Sequence, residues 1–405
     1  MPCETGLKRA LSLLLDMSTK NYLAVFICFL MNMLDGMDVL IISYAAPAIA
    51  KAWSISPANL GVVFSSGLVG MTIGAIFLAP FADRIGRKPT MLIAGFLMAS
   101  CIYLTSLAAD TLMLMIFRFI SGLGIGAMMA TTAALTAENS PASTRNFWVS
   151  TVVAGYPVGA VLSGLVAATV IKTHGWEHLF ELAGYATLLS LPLVGLFIQE
   201  SFTPANQNEP KPQVQVLVQE PYRISTFQLW TALFLAFATL YFMLNWIPKL
   251  ATNAGMSMSA AIYAGTVFNL GAIVGIPIQG YCSSRFGLKK TIGIILLFTA
   301  VTMLSFGFFV HTSLALVLFF LMGFGVQGGF VGLYAVAASM YPTYIRTTGV
   351  GWAIGAGRIG GIIGPIVGGL LVAWGLDMTQ SFWFFAIPSA LAGLMTFKIS
   401  AKNIS

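Results

Sequence analysis

Four ionisable side chains interrupt long apolar segments of the chain and are the residues best suited to chemistry. Two are acidic, Asp35 and Asp38, and two are basic, Arg118 and Arg358. In the middle of a membrane-spanning helix, each such residue costs about 2.5–3.5 kcal/mol on insertion-based scales. A chain that keeps four of them at this depth is expected to use them. Two negative and two positive charges are what a proton-coupled anion carrier would need.

The two acidic residues are spaced three apart, which places them on one face of a helix. Two carboxylates this close, in poorly hydrated surroundings, resist ionising together and titrate as a unit. We therefore predict that the pair Asp35 and Asp38 couples transport to a proton. The alternative is that one of them is the structural partner of an arginine or caps a neighbouring helix.

The two arginines are candidates for binding an anionic substrate. A guanidinium offers a planar fork that matches a carboxylate, and glycines around Arg358 leave room for a ligand. A buried structural ion pair is the alternative for Arg358, and a structural or coupling role is the alternative for Arg118. Six polar or amphipathic residues in the C-terminal apolar segments are candidate substrate contacts, or else form bonds between helices: Gln327, Asn245, Trp246, Asn269, Tyr241 and Tyr334.

The composition indicates a membrane protein. Of the 405 residues, 58% are hydrophobic and only 8% are charged, and the mean hydropathy is +0.88. Soluble domains carry roughly 25% charged residues. The net charge of +7 falls mostly in short loops, so it indicates membrane topology and gives no support for a nucleic-acid partner. The four cysteines show no metal or disulfide spacing.

The apolar segments predict twelve membrane-spanning helices, because a bilayer core needs about 20 apolar residues per helix. They lie near residues 22–46, 58–80, 90–108, 112–136, 147–171, 179–198, 227–248, 258–281, 291–310, 313–338, 348–373 and 381–398.

The Lys and Arg residues predict the orientation of these helices. Fifteen of the 20 fall in the two termini and in alternate loops, and only Lys51, Lys172 and Lys249 fall in the opposite set. Cytoplasmic loops carry the excess of positive charge. We therefore expect an inner (plasma) membrane protein with both termini in the cytoplasm and the lipid bilayer as its surroundings.

The sequence contains an internal repeat. Residues 79–88 and 280–289, each between two predicted helices, align at an offset of 201 residues. The same offset maps Pro141 onto Pro342 and Arg145 onto Arg346. We predict an N-terminal six-helix bundle over residues 1–198, a linker over 199–226 and a C-terminal bundle over 227–405. Parallel repeats of this kind suit a carrier that rocks two bundles about a central site.

Two motifs resemble those of the major facilitator superfamily. The loop Asp83-Arg84-Ile85-Gly86-Arg87-Lys88 resembles its signature loop, with Ala79 where the family pattern opens with Gly. The segment Arg118-x-x-x-Gly122-x-Gly124-x-Gly126 resembles a second superfamily pattern. The resemblance covers nearly the whole chain. It implies an all-α membrane protein of twelve helices in two pseudo-symmetric six-helix bundles.

A finer resemblance points to the aromatic acid:proton symporters. Asp35-Gly36-Met37-Asp38 is similar to their Asp-Gly-aromatic-Asp element, with Met37 in place of the aromatic. Tyr341-Pro342-Thr343-x-x-Arg346 and Gly357-Arg358-x-Gly360-Gly361 also resemble that family. The resemblance implies uptake of a benzoate-type acid, or of its ring-cleavage diacid such as cis,cis-muconate, by symport. The expected partners are the small organic acid and protons, with no cofactor, and the expected state is a monomer.

Charged residues in the predicted cytoplasmic loops are expected to form a gate. We predict ion pairs that hold the bundles closed when the site faces outward, although the basic residues could serve orientation alone. The gate set is Asp83, Arg84, Arg87, Lys88, Glu138, Arg145 and Arg346.

Other functions remain as alternatives. Proton-driven efflux of a drug or metabolite also needs an acidic residue, although export of a cation would not favour Arg358 in the cavity. A transporter-like sensor would be expected to carry a signalling domain, for which the short tails leave no room. A channel is disfavoured because repeated pore loops are absent. No nucleophile–base arrangement, phosphate-binding loop or zinc pattern predicts an enzyme.

Overall fold

The computed structural model describes residues 18–141, 144–200, 214–309, 312 and 314–399, without the side chains of residues 83, 146, 214, 343, 344 and 347. Within this part of the chain every regular element is helical. Twelve long helices account for most of it. They are α1 (Thr19–Ala52), α2 (Pro57–Ile73), α3 (Arg87–Ser106), α4 (Thr111–Glu138), α5 (Gly155–His174), α6 (Trp176–Phe197), α7 (Arg223–Asn253), α8 (Met258–Phe286), α9 (Leu288–Phe309), α10 (Leu314–Met340), α11 (Thr343–Ala373) and α12 (Met378–Lys398).

Short helical segments extend three of these elements. A π-helical turn (Gly74–Leu78), a 3₁₀ turn (Ala79–Phe81) and a short helix (Ala82–Ile85) continue α2, and Arg145–Val153 precedes α5. A 3₁₀ turn at Val214–Val218 precedes α7.

Twelve helices of the described chain are long and apolar enough to cross a bilayer, which confirms the number predicted from hydropathy. The fifth span, for example, covers Phe147–His174, whereas the sequence places it near 147–171. Large apolar side chains point away from the protein interior on many of these helices. Phe308 is 81% exposed and Leu196 is 76% exposed, as expected for faces that contact lipid.

The turns repeat between the two halves of the chain. Gly86 (φ 105°) and Gly287 (φ 92°) are separated by the repeat offset of 201 residues, and both adopt left-handed backbone angles. Residues with a side chain rarely adopt such angles. Pro47 inside α1 and Pro248 inside α7 are separated by the same offset. A proline inside a helix removes one backbone hydrogen bond, so both copies interrupt the ladder at the same point.

Two compact units emerge from the packing of the chain. One comprises residues 1–39, 69–162 and 177–205, and the other comprises residues 40–68, 163–176 and 206–405. The second unit therefore includes the C-terminal part of α1, most of α2 and the C-terminal part of α5. The division into bundles 1–198 and 227–405 refers to the repeat and stays a prediction.

In each unit, one end of the helices adjoins a basic segment, residues 84–88 in the first unit and residues 285–290 in the second. Within a unit, the name "basic end" refers below to the helix ends that adjoin its basic segment, and "opposite end" refers to the other helix ends. In the second unit α7 and α11 begin at the basic end, so Leu244 on α7 and Ile362 on α11 lie toward the opposite end.

Candidate functional site

The first cluster of functional side chains lies in the first unit and joins α1 to α4. Arg118 Nη2 lies 2.5 Å from Asp38 Oδ1, and Arg118 Nη1 donates to the backbone carbonyl of Asp38 at 3.0 Å. The Ser121 hydroxyl donates to the other carboxylate oxygen of Asp38 at 3.0 Å. Arg118 is 3% exposed and Asp38 is 0% exposed. This is a buried, charge-neutralised pair in which both carboxylate oxygens are hydrogen-bonded.

Asp35 lies one helical turn before Asp38 and has a different environment. It is 0% exposed, and neither of its carboxylate oxygens has a hydrogen-bond partner in the part of the chain that the structure describes. Burying an ionised carboxylate without a partner costs far more free energy than burying a neutral carboxylic acid. The structure therefore separates the two acids that the sequence places together: Asp38 is paired, and Asp35 is the candidate for carrying a proton.

The second cluster lies in the second unit and consists of four aromatic side chains, Phe237 and Tyr241 on α7 and Phe330 and Tyr334 on α10. The rings of Phe237 and Phe330 meet edge to face with centroids 4.6 Å apart, and those of Phe330 and Tyr334 with centroids 5.0 Å apart. Phe237 also stacks with Tyr241 at 6.0 Å. Each helix contributes residues spaced four apart, which lie on one face. These four residues are called the aromatic cage below.

Arg358 on α11 lies beside the aromatic cage. Its guanidinium interacts electrostatically with the Tyr241 and Tyr334 side chains. The neighbouring glycines allow this approach, because a Cβ at Gly361 would lie 2.9 Å from the Tyr241 ring, and one at Gly357 would also collide with Phe237. The Arg358 side chain is partly exposed, unlike that of Arg118. The site thus combines a cation, two phenol groups and two phenyl rings.

Polar side chains extend from the aromatic cage along the same helix faces. Gln327 lies one turn before Phe330 on α10, and its amide nitrogen donates to Asn269 Oδ1 at 3.2 Å. Asn269 in turn donates to the Gly265 carbonyl at 2.9 Å. Asn245 lies one turn after Tyr241 on α7 and donates to the Tyr241 carbonyl at 2.7 Å.

Trp246 is fully buried, and its indole N–H donates to the Pro365 carbonyl at 2.9 Å. This bond joins α7 to α11. The indole N–H is therefore committed to a backbone carbonyl, whereas Gln327 and Asn245 present amides beside the aromatic cage.

The residues predicted to form a gate have different environments. Arg87 Nε lies 3.3 Å from Glu138 Oε1, with the two side chains 21% and 32% exposed. Arg84 lies over the Phe81 ring at 6.0 Å, and Arg346 donates to the Tyr341 carbonyl at 3.3 Å.

Arg145 is exposed and Lys88 is partly exposed, and neither forms an ion pair with another described side chain. The Asp83 side chain lies outside the described residues. The gating role of the whole set stays a prediction.

Glu200 is a partner that the sequence does not predict. Its carboxylate accepts hydrogen bonds from the backbone N–H groups of Arg87 at 2.8 Å and Lys88 at 3.2 Å, and so caps the first turn of α3. The side chain occupies the space in front of Gly86, where a Cβ would collide with it. A carboxylate at a helix N-terminus is stabilised by the unpaired N–H groups and the helix dipole.

The sequence predicts Tyr241 and Tyr334 as candidate contacts but misses the other two rings of the aromatic cage. Phe237 and Phe330 are two of 30 phenylalanines in the chain. Their one signal is the spacing of four to Tyr241 and Tyr334, which is common in any apolar helix.

Among the described residues, no group of three or more His, Cys, Asp or Glu side chains could hold a metal ion.

Comparison with known proteins decides the family. A sequence model of the Major Facilitator Superfamily matches residues 28–279 and 249–404. The chain belongs to the major facilitator superfamily. It is a membrane transporter and not an enzyme, and the twelve helices are those of the major facilitator fold. Its two overlapping matches cover most of the chain.

Two relatives and one solved structure illustrate the similarity to other superfamily members. The chain is 31% identical to the gallate transporter of Pseudomonas putida, over 92% of this chain and 90% of the relative. It is 30% identical to the 4-hydroxybenzoate transporter PcaK of Acinetobacter baylyi, over 94% of this chain and 91% of the relative. The crystal structure of a D-xylose–proton symporter matches with a TM-score of 0.76 at 20% identity, covering 94% of this chain and 98% of that one.

Proposed function

We propose that this transporter takes up an aromatic carboxylic acid by proton symport, through alternating access, as a monomer in the inner membrane with both termini in the cytoplasm. The observation that carries the proposal is the aromatic cage with Arg358 beside it. Aromatic rings pair well with another ring in stacked or edge-to-face arrangements. A guanidinium binds a carboxylate in a planar, two-pronged geometry. The aromatic rings of the cage would therefore pack against the ring of an aromatic acid, and Arg358 would bind its carboxylate.

The charges of the two arginines favour a single carboxylate on the cargo. Arg118 is already neutralised by Asp38. Within the described residues, Arg358 has no carboxylate at salt-bridge distance, so its charge is available to a ligand. A linear diacid such as cis,cis-muconate would bring a second carboxylate without a second such partner, and it has no ring for the cage. The cage thus fits an aromatic monoacid better than a ring-cleavage diacid.

The cargo names of the relatives agree with this choice. The gallate and 4-hydroxybenzoate transporters are named for aromatic acids, and each is similar to this chain over most of its length. Gln327 adds a polar contact for a ring substituent, because no donor among the described residues reaches its Oε1. Asn245 is a second amide at the edge of the cage.

Asp35 supplies the means of coupling to a proton. Entry of an anion into a cell with a negative interior is opposed by about 2.3 kcal/mol per charge per 100 mV. A proton carried with each monoanion removes this penalty. Asp35 is buried without a hydrogen-bond partner, so its ionised form is costly and its protonated form is tolerated. Alternate exposure to the two sides would let it bind a proton on one side and release it on the other.

Counterflow in proteoliposomes tests the proposed cargo. Vesicles loaded with one acid are diluted into its labelled form, and the competitors are benzoate, 4-hydroxybenzoate, protocatechuate and cis,cis-muconate. Aromatic monoacids should compete and muconate should not. An inward proton gradient should then drive accumulation of the same acid. Competition by muconate alone, or uptake that ignores the proton gradient, would contradict the proposal.

The variant Arg358→Ala tests the site itself. It should raise the KM for the aromatic acid at least about tenfold, because a charge-assisted hydrogen bond contributes roughly 1.5–3 kcal/mol. Arg285→Ala is the matched control, since Arg285 is an exposed arginine in the last turn of α8, in the same unit as the cage. An unchanged KM in Arg358→Ala would show that the substrate does not bind at Arg358 and the aromatic cage.

A further inference from the structure

Two buried serines bond to backbone carbonyls of other helices toward the opposite end of the second unit. Ser43 on α1 donates to the carbonyls of Leu244 at 2.7 Å and Asn245 at 3.0 Å, both on α7. Ser65 on α2 donates to the carbonyl of Ile362 on α11 at 2.6 Å. The two serines are 0% and 3% exposed. By contrast, Ser66, Thr239 and Thr252 in the same helices donate to carbonyls of their own helix.

Proline explains why the carbonyl of Leu244 accepts such a bond. Pro248 lies four residues after Leu244 inside α7, and a proline has no N–H to donate to the carbonyl four residues earlier. The Ser43 hydroxyl supplies the missing donor. In α11, Ile362 directly follows Gly361, whose carbonyl Pro365 leaves without its helical donor. Ser43 therefore replaces a missing helical donor, and Ser65 bonds next to an interrupted position of the ladder.

Trp246 connects the two contacts. Its indole N–H donates to the Pro365 carbonyl at 2.9 Å, and the Phe64 ring packs edge-on against it with centroids 5.4 Å apart. Phe64 precedes Ser65 on α2, and Trp246 follows Asn245 on α7. The α1–α7 and α2–α11 contacts thus share one buried aromatic pair toward the same end of the second unit.

We infer that Ser43 and Ser65 are latches that hold the opposite end of the carrier closed, and that they release when this end opens. The inference rests on the alternating access of the proposed function. Hydroxyl-to-carbonyl bonds suit such a role, because water that enters on opening can replace the serine as the donor to the Leu244 carbonyl. The bonds thereby set the balance between the two states without making closure irreversible.

Accessibility of a reporter cysteine tests the latches. In a chain without its native Cys3, Cys28, Cys101 and Cys282, the substitution Ala46→Cys places a thiol at a fully buried position one helical turn after Ser43 on α1. A membrane-impermeant maleimide is applied from the opposite end. Ser43→Ala or Ser65→Ala should raise the labelling rate about 3- to 10-fold, the shift expected when one net hydrogen bond is lost. Ser66→Ala is the matched control, since Ser66 donates to Val63 of its own helix at 2.7 Å.

A double substitution identifies the proline as the cause. Pro248→Ala restores a backbone N–H for the Leu244 carbonyl, so adding Ser43→Ala to it should change labelling by less than about twofold. Additive effects of the two substitutions would overturn the inference, as would equal labelling in Ser65→Ala and Ser66→Ala. If Ser43→Ala alone fails to fold, the labelling rates of Pro248→Ala with and without Ser43→Ala still test the inference. Labelling needs no substrate, so a failed latch and a wrong cargo give separate results.

Discussion

Arg118 donates hydrogen bonds to both the carboxylate and the backbone carbonyl of Asp38. The carboxylate of Asp35, one helical turn earlier, has no hydrogen-bond partner within the described chain. Two acids of the same type on the same helix face thus have unlike environments. The difference arises from α4, which delivers Arg118 and Ser121 to one of them only. Their unlike environments predict unlike phenotypes for the same substitution.

Asp35→Asn should uncouple transport while leaving the fold intact. The amide is neutral, so it replaces the tolerated protonated acid at little cost in stability. Proton-driven accumulation should fall at least about tenfold, while counterflow, which needs no net proton movement, should continue. Both are measured on the same proteoliposomes. Accumulation at the wild-type level would exclude Asp35 as the coupling residue.

Asp38→Asn should instead destabilise the protein. It leaves the Arg118 charge buried without its partner, which costs roughly 3–5 kcal/mol when a buried pair is broken. The melting temperature in detergent should fall clearly below that of Asp35→Asn. Pairing it with Arg118→Met should recover part of the loss, because the stranded charge is then removed. Strictly additive losses would show that the two side chains do not act as a pair.

Several parts of this arrangement can be predicted from the sequence, and others cannot. Hydropathy predicts the twelve helices, because every span must be apolar over a bilayer thickness. The repeat predicts matching turns, as Gly86 and Gly287 show. The partner of Asp38 depends on how α4 packs against α1, and spacing along one helix carries no such information. Phe237 and Phe330 are likewise ordinary apolar residues until α7, α10 and α11 come together.

Phe330→Leu should weaken binding of an aromatic acid selectively. The substitution keeps an apolar side chain but removes the ring that meets Phe237 and Tyr334. Aromatic pairs contribute about 0.5–1.5 kcal/mol beyond burial, so the KM should rise about 2- to 12-fold. Phe319→Leu is the control, since Phe319 lies on the same helix but packs against Phe306 and Phe382. Equal effects of the two substitutions would mean that the cage ring is structural.

Glu200→Ala should destabilise the start of α3. The Glu200 carboxylate caps the N–H groups of Arg87 and Lys88, and loss of a helix cap costs about 0.5–2 kcal/mol. The melting temperature should fall, whereas Glu220→Ala, in an exposed glutamate before α7, should leave it unchanged. Gly86→Ala should be at least as damaging, because its φ of 105° is strained for alanine and the added Cβ meets the Glu200 side chain. Unaltered melting in both variants would contradict the cap.

Glu138→Gln separates a gate from a surface ion pair. The Arg87–Glu138 pair is partly exposed, and such pairs contribute only about 0–1 kcal/mol to folding, so the melting temperature should barely change. If the pair holds the basic end closed in one state, its loss should still alter the rate of proton-driven uptake several-fold, because one kcal/mol between two states changes their ratio about fivefold. High salt should reduce the difference between the variant and the wild type, since exposed charges are screened. A normal uptake rate in Glu138→Gln at low salt would contradict the gate. The basic residues of this end would then serve membrane orientation alone.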